Sequence, residues 1–183
     1  MLETTTSSFV IDLDDFCESN NGLDLLWRLY ACVPRLRLNL FTIPGLCSPA
    51  FLNYARSLDW LDFIPHGWLH TTARECQTWS YADSLTYLLA LETAGWRHGF
   101  KAPGWQISDG MYQALLERNW WVADQAYNHN RRPVELRAYL LDEPNRIHGH
   151  IGHLGGHNDN ALELIFDQLA ALRGEFRFIQ DLT

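Results

Sequence analysis

The chain has 183 residues, 47% of them hydrophobic and 20% charged, enough to bury one core without covalent cross-links. A net charge of −8 excludes a nucleic-acid backbone as the natural partner, because phosphate binding rests on clustered Lys and Arg. No apolar run approaches the ~18 residues needed to cross a membrane, and no membrane partner is expected.

The opening MLETTTSS carries neither a basic nor an apolar leader segment, and the expectation is a cytoplasmic protein. Ser8 to Leu13 reads as a buried strand ending in acids. Leu23 to Val33 has helical spacing after Asn21-Gly22. Leu36 to Ile43 alternates like a strand and stops at Pro44-Gly45. Ser48-Pro49 caps a helix to about Leu58, and Leu61 to Pro65 is a strand running into His66. Ala82 to Ala94 is the clearest helix, with Leu85, Leu88, Leu89 and Leu91 on one face. Gly99 to Ala102 is a short strand, Ser108 caps a helix to about Arg118, and Trp120 to Ala123 is the next strand. Glu135 to Leu141 and Arg146 to His150 are further strands, Asn158 to Leu172 a last amphipathic helix, and Phe176 to Ile179 a last strand. The basic pair Arg131-Arg132 falls in a solvated loop. Cys17, Cys32, Cys47 and Cys76 form no CxxC pair and are expected as free thiols.

Alternating strands and helices imply right-handed crossovers and a mostly parallel sheet. The expectation is a single α/β domain over residues 1–183, a small distorted (β/α)7-type barrel, with an open doubly wound sheet as competitor. In both, ligands gather at the carboxyl ends of strands, where Asp14-Asp15, His66, Lys101, Asp124 and His150 stand. That placement points to an enzyme.

Four segments carry chemistry. In His66-Gly-Trp-Leu-His70, two imidazoles four apart share one face if the segment makes a helical turn, and both then reach one cation. Asp12, Asp14 and Asp15 crowd one strand end, which is costly unless a cation or a titration role compensates. One carboxylate and two imidazoles leave open positions on a divalent metal, as in catalytic sites, and a second carboxylate can deprotonate the water. Phe100-Lys-Ala-Pro-Gly-Trp105 reads by itself as a Pro-Gly turn after a strand. In Arg146-Ile-His-Gly-His150-Ile-Gly-His153, His148 and His150 share a strand face, and one of them can donate a proton to a leaving group.

In order and spacing these pieces resemble the polysaccharide-deacetylase (NodB-like, carbohydrate esterase family 4) superfamily. Asp12-Leu-Asp14-Asp15-Phe16 is similar to its T-F-D-D-G motif and His66-Gly-Trp-Leu-His70 to its H-(S/T)-x-x-H motif. Lys101-Ala-Pro103 is similar to R-x-P, within a stretch FKAPGW close to FRAPGW. Asp124 stands at the fourth motif and His148-Gly-His150 at the late L-x-H motif. The resemblance implies that Asp15, His66 and His70 hold a divalent metal, most often zinc, with cobalt, nickel or manganese as alternatives. It implies Asp14 as the general base and His150 as the acid. Lys101, Pro103, Trp105, Trp68, Asp124 and His148 become site-lining or substrate-binding. The implied reaction is hydrolysis of a linear C–N bond by a metal-activated water, removing an N-acetyl or related N-acyl group from an amino sugar or similar small molecule. The partner is a small-molecule or saccharide substrate.

Three features depart from the family pattern. Lys101 stands where Arg is usual and cannot copy its two-pronged contact. Phe16 replaces a glycine, which implies a bulkier site floor. The chain is short and expected in the cytoplasm, whereas many members act on polymers outside the cell, which favours a small soluble substrate over a polymer. Two other readings remain open. In a haloacid-dehalogenase-like magnesium-dependent phosphatase, Asp12 is the nucleophile, Asp14 the acid/base, and Gly156-His-Asn-Asp159 a late acidic motif. In the other, the chain is a non-catalytic binder on the deacetylase fold, which Lys101 and Phe16 suggest.

Overall fold

The computed structural model describes residues 7–128, 131–152, 154 and 158–183. Among these residues no helix is long and apolar enough to cross a membrane. The strands are β1 (Ser8–Phe16), β2 (Leu38–Thr42), β3 (Leu61–Pro65), β4 (Gly99–Lys101), β5 (Trp121–Asp124), β6 (Ala138–Leu140), β7 (Arg146–His150) and β8 (Glu175–Phe176). The helices are α1 (Leu23–Cys32), α2 (Pro49–Arg56), α3 (Tyr81–Thr93), α4 (Asp109–Glu117) and α5 (Leu162–Ala170).

All strand pairings are parallel, as the alternating pattern requires. One sheet has the order β3-β2-β1-β7, with β8 also on β1, and a second has the order β4-β5-β6. A bridge between His66 and Lys101 links the ends of β3 and β4, so both sheets address one interior. The small cluster of Val10, Phe41, Ile64, Trp121, Ala123, Tyr139 and Ile179 draws on strands of both sheets and fills the base of that interior. A larger cluster lies outside, where Ile11, Leu13, Leu40 and Phe63 meet Leu26, Leu29, Leu88 and Leu115 from the helices. The result is barrel-like, with no closed barrel among the described residues.

Side chains alternate along β1, so Val10, Asp12 and Asp14 share the inner face while Ile11 and Leu13 face the helices. The register with β7 then sets His148 beside Asp12 and His150 beside Asp14. Helix starts follow local chemistry: Ser48 accepts from the Phe51 N–H, Ser108 from the Met111 N–H, and Ser80 forms a capping box with Asp83. Each such cap contributes about 1 kcal/mol.

Three expected elements are shorter than the sequence pattern implies. The strand expected over 135–141 is confined to β6, because Leu136 closes a turn onto Pro133. The helix expected from Asn158 begins at Leu162, because Ala161 pairs with His150 and the Asn160 carbonyl accepts the His150 N–H at 3.1 Å. The strand expected over 176–179 ends at Phe176, and Ile179 turns to donate its N–H to Asn39 Oδ1 at 2.8 Å. The four cysteines are free, with Cys17 and Cys76 buried.

Candidate active site

At the carboxyl ends of β1, β3, β4 and β7 lies a cavity of about 360 Å³. Its lining includes Asp14, Asp15, His66, His70, Gly104, Trp105, His148 and His150, together with Leu154 and Asn158. Sequence separation is large, yet the parallel topology delivers every strand end to one place.

Asp15, His66 and His70 form one group. Asp15 Oδ1 lies 3.6 Å from His66 Nε2 and 3.4 Å from His70 Nε2. It is buried and has no hydrogen-bond partner among the described residues. His66 Nδ1 donates to the Lys101 carbonyl at 3.1 Å, which leaves the Nε2 lone pair facing Asp15. A lone pair facing a bare carboxylate oxygen repels it unless a cation stands between them. Burial pushes the His66 imidazole below its ordinary pKa, more than the Asp14 and Asp15 carboxylates pull it up, so a proton is a poor occupant. A divalent cation about 2.1 Å from each donor leaves those donors ~3–3.5 Å apart, close to the spacing found. The residues therefore fit a metal.

The two histidines do not reach this geometry through a helical turn, the local form that would have put them on one face. Residues 66–70 form an irregular loop with Gly67 at φ +63° and His70 at φ +52°. The Glu75 carboxylate holds it, accepting the N–H groups of Trp68, Leu69 and His70 at 2.9–3.1 Å. Gly67 explains the missing hydroxyl residue: a Cβ there would lie 2.7 Å from the Pro103 ring, in a left-handed backbone. Asp15 itself sits at φ +67°, a strained position for a non-glycine residue. Glu75 was missed in the sequence because its role is tertiary; nothing local marks it.

Asp14 faces the second half of the site. Lys101 Nζ bonds its Oδ2, and both side chains are buried. Burial alone would raise the Asp14 carboxyl, but Lys101, His66 and His148 together outweigh it and hold the group well below the usual carboxylate range. The Lys101 ammonium also sits 4.0 Å over the Trp105 ring and 5.0 Å over Phe41, so the aromatic walls share its charge. His148 Nε2 and His150 Nε2 approach Asp14 Oδ2 at 3.8 and 3.9 Å. These three could also hold a cation by spacing. The Lys101 ammonium already occupies the oxygen that both imidazoles face, and a second positive charge there would be repelled.

Each β7 imidazole is anchored from behind. His148 Nδ1 donates to Asp12 Oδ2 at 2.5 Å, and His150 Nδ1 donates to Asn160 Oδ1 at 2.7 Å. The Asn160 amide orientation is fixed by its Nδ2 donating to the His148 carbonyl at 3.2 Å. Burial pushes the Asp12 carboxyl above its ordinary value, against the pull of His148 and Lys101.

Several sequence-derived candidates lie elsewhere. Trp68 does not line the cavity; it is 44% exposed over a groove shared with Trp79 and Tyr87. Asp124 does not line it either. It is a buried hub for Tyr112, Asn128 and Arg132 at 2.9, 2.6 and 2.8 Å, where charge pairing keeps a polar strand end satisfied. Pro103 is buried beneath Gly67, while its neighbours Gly104 and Trp105 face the cavity. Phe16 forms no floor. The break in alternation at Asp15 (φ +67°), where the β1–β2 register shifts between Leu13 and Phe16, turns it away from the inner face, to pack on Phe51 and Phe63 at 5.5 Å between ring centroids. Asp12 is fully buried behind His148, out of reach of an incoming phosphate, which removes the nucleophile of the phosphatase reading. His153, Gly156 and His157 lie outside the described residues.

No protein-family model and no curated protein sequence matches the chain. Solved structures do match it in fold. The Xyl-CE4 domain of a multidomain xylanase from the hindgut metagenome of Trinervitermes trinervoides aligns over 97% of this chain and 90% of that one, with TM-score 0.57 and 13% identity. A family 4 acetyl xylan esterase from Clostridium thermocellum, in complex with a cobalt ion, aligns over 96% and 90%, with TM-score 0.59 and 13% identity. In fold, the chain is similar to the family 4 esterase domains of these two structures.

Proposed function

We propose that this protein is a metal-dependent hydrolase that removes an acetyl or related acyl group, from nitrogen in an amino sugar or similar small molecule. The observation that supports this best is the Asp15–His66–His70 set, spaced for one cation, beside a carboxylate and two anchored imidazoles in one open cavity. Asp15, His66 and His70 would hold the metal, with zinc first and cobalt, nickel or manganese as alternatives. When bound, the cation supplies Lewis acidity toward the water and the acyl carbonyl.

The chain's own groups do the rest. Asp14 lines the cavity beside the metal set, with Lys101 holding its Oδ2, and is the carboxylate that takes a proton from water. Proton donation to the departing nitrogen falls to the β7 imidazoles; the sequence resemblance points to His150. The Trp105 ring offers a flat wall for a sugar face. A cavity of about 360 Å³ has room for a monosaccharide-sized ligand, which is compatible with a small saccharide substrate.

The test is elemental analysis of the purified protein beside Asp15→Ala and His66→Ala, followed by acetate release from N-acetylated amino sugars. Near-stoichiometric transition metal in the wild type, lost in both variants, with acetate release dependent on it, supports the reading. Metal retained in His66→Ala overturns it.

A further inference from the structure

We propose that His148, backed by the buried carboxylate of Asp12, is the proton donor to the leaving group, in place of its neighbour His150. This rests on the hydrolase reading above and names a residue within it. The two imidazoles stand equally far from Asp14 Oδ2, at 3.8 and 3.9 Å, and are equally exposed at 23% and 22% of their side chains. Distance and access therefore do not separate them. Their partners at Nδ1 do. His150 rests against the neutral amide oxygen of Asn160, whose orientation is locked by its own bond to the His148 carbonyl. His148 rests against Asp12 Oδ2, a carboxylate with no exposure, at 2.5 Å. A carboxylate behind an imidazole stabilises the imidazolium, and an amide does so far less.

Asp12 also feels the Lys101 ammonium and lies beside Tyr139, but the one side chain to which it is hydrogen-bonded at close range among the described residues is His148. Its Oδ1 lacks a hydrogen-bond partner among the described residues, and it sits one strand layer above the apolar base at Val10. Position 12 would be cheaper as an apolar or hydroxyl residue unless the pair it forms is used. Other groups facing His148 are Asp14 from β1, His150 on its own strand, and Trp105, whose ring packs edge-on at 5.7 Å. The Lys101 ammonium lies 4.0 Å from the centroid of the same Trp105 ring.

In the step itself, the water oxygen bonds the acyl carbon and gives one proton to Asp14. The carbon–nitrogen bond then breaks, and the nitrogen takes the proton from His148 Nε2. Asp14 ends protonated and His148 neutral; Asp14 then gives its proton to solvent and the half-buried His148 takes one up, which restores both. Asp12 never touches substrate and acts as a positioning residue, fixing the Nδ1–H tautomer.

The experiment compares zinc-loaded wild type, His148→Gln, His150→Gln and Asp12→Asn on two probes, an N-acetylated amino sugar and 4-nitrophenyl acetate. An amine must be protonated to leave; 4-nitrophenolate leaves without a proton. The ratio of amide to aryl-ester kcat/KM is expected to fall about 100-fold or more in His148→Gln, the size typical of a general acid, and also in Asp12→Asn, but under about fivefold in His150→Gln. Histidine ¹⁵N spectra supply a readout independent of turnover: His148 Nδ1 carries its proton in a strong, downfield hydrogen bond that Asp12→Asn abolishes. A ratio that falls in His150→Gln and holds in His148→Gln overturns the assignment, as does a His148 protonated only at Nε2. Wild type inert on both probes while holding zinc overturns the hydrolase reading, and this assignment with it.

Discussion

Lys101 and Asp14, 87 residues apart in the chain, meet as a buried ion pair in the middle of the candidate site. The lysine arrives from the end of β4 and the aspartate from β1, and the aromatic faces of Trp105 and Phe41 close over the ammonium. A guanidinium would grip both oxygens of a carboxylate; an ammonium takes only one.

The first prediction follows from that pair. Asp14 titrates below the usual carboxylate range, so as a base it stays ready well into acid, and the acid limb of kcat/KM should lie below about pH 4. In Lys101→Met the largest opposing charge is gone while burial remains, so the limb moves upward. The same variant should lose about 3–5 kcal/mol in urea at neutral pH, since it strands a buried carboxylate. By linkage, a depressed folded-state pKa contributes stability above the unfolded value and loses it as pH falls through the folded one. The wild type should therefore keep this contribution down to about pH 4, below which it fades. An unmoved acid limb in Lys101→Met would remove Lys101 from control of the base.

Glu75 carries the second prediction. Its carboxylate accepts three consecutive N–H groups and holds His70 in a left-handed conformation. Glu75→Ala should weaken zinc binding about 10- to 100-fold, as for other supports behind metal ligands, with little change in Asp14 or His148. Titration calorimetry with zinc measures this; unchanged affinity would mean the loop holds itself.

Much of this site was legible in the sequence because it lies on strands. A two-residue period puts Asp12 and Asp14 on one face, and His148 and His150 on another, and parallel strands deliver both to one end. Legibility failed where geometry is tertiary. The 66–70 loop has histidine spacing that mimics a helical turn, but Glu75 from outside the motif shapes it. The register that pairs Asp12 with His148 cannot be read from either strand alone. Asp124 and Trp68 stand at plausible motif positions, yet Arg132 draws one into a buried hub and Tyr87 holds the other over a separate groove.

The third prediction concerns Phe16, which follows the acid pair but packs against Phe51 and Phe63 in the core. Phe16→Ala should cost about 3–5 kcal/mol in denaturant unfolding while leaving metal stoichiometry unchanged. Loss of metal in a folded Phe16→Ala protein would show that this ring sets the backbone of Asp15.

The last prediction lies near the opposite, amino-terminal ends of the strands, in β3. Asp62, in β3, is 3% exposed; its Oδ1 pairs with Arg97 Nε at 2.7 Å and accepts the Phe63 N–H at 3.1 Å. Its Oδ2 has no hydrogen-bond partner among the described residues. Burial pushes the carboxyl up to about 6, and Arg97, itself 58% exposed, recovers only part of the cost. A raised folded-state pKa gives a contribution that is complete below the unfolded value and is lost as pH rises through about 6. Asp62→Asn stays neutral throughout, so it should match the wild type near pH 4 and exceed it at pH 8 by about 1–3 kcal/mol. Thermal unfolding of both proteins across that range measures the difference. A variant less stable than wild type at pH 8 would show that the Arg97 pair outweighs the burial of the charge.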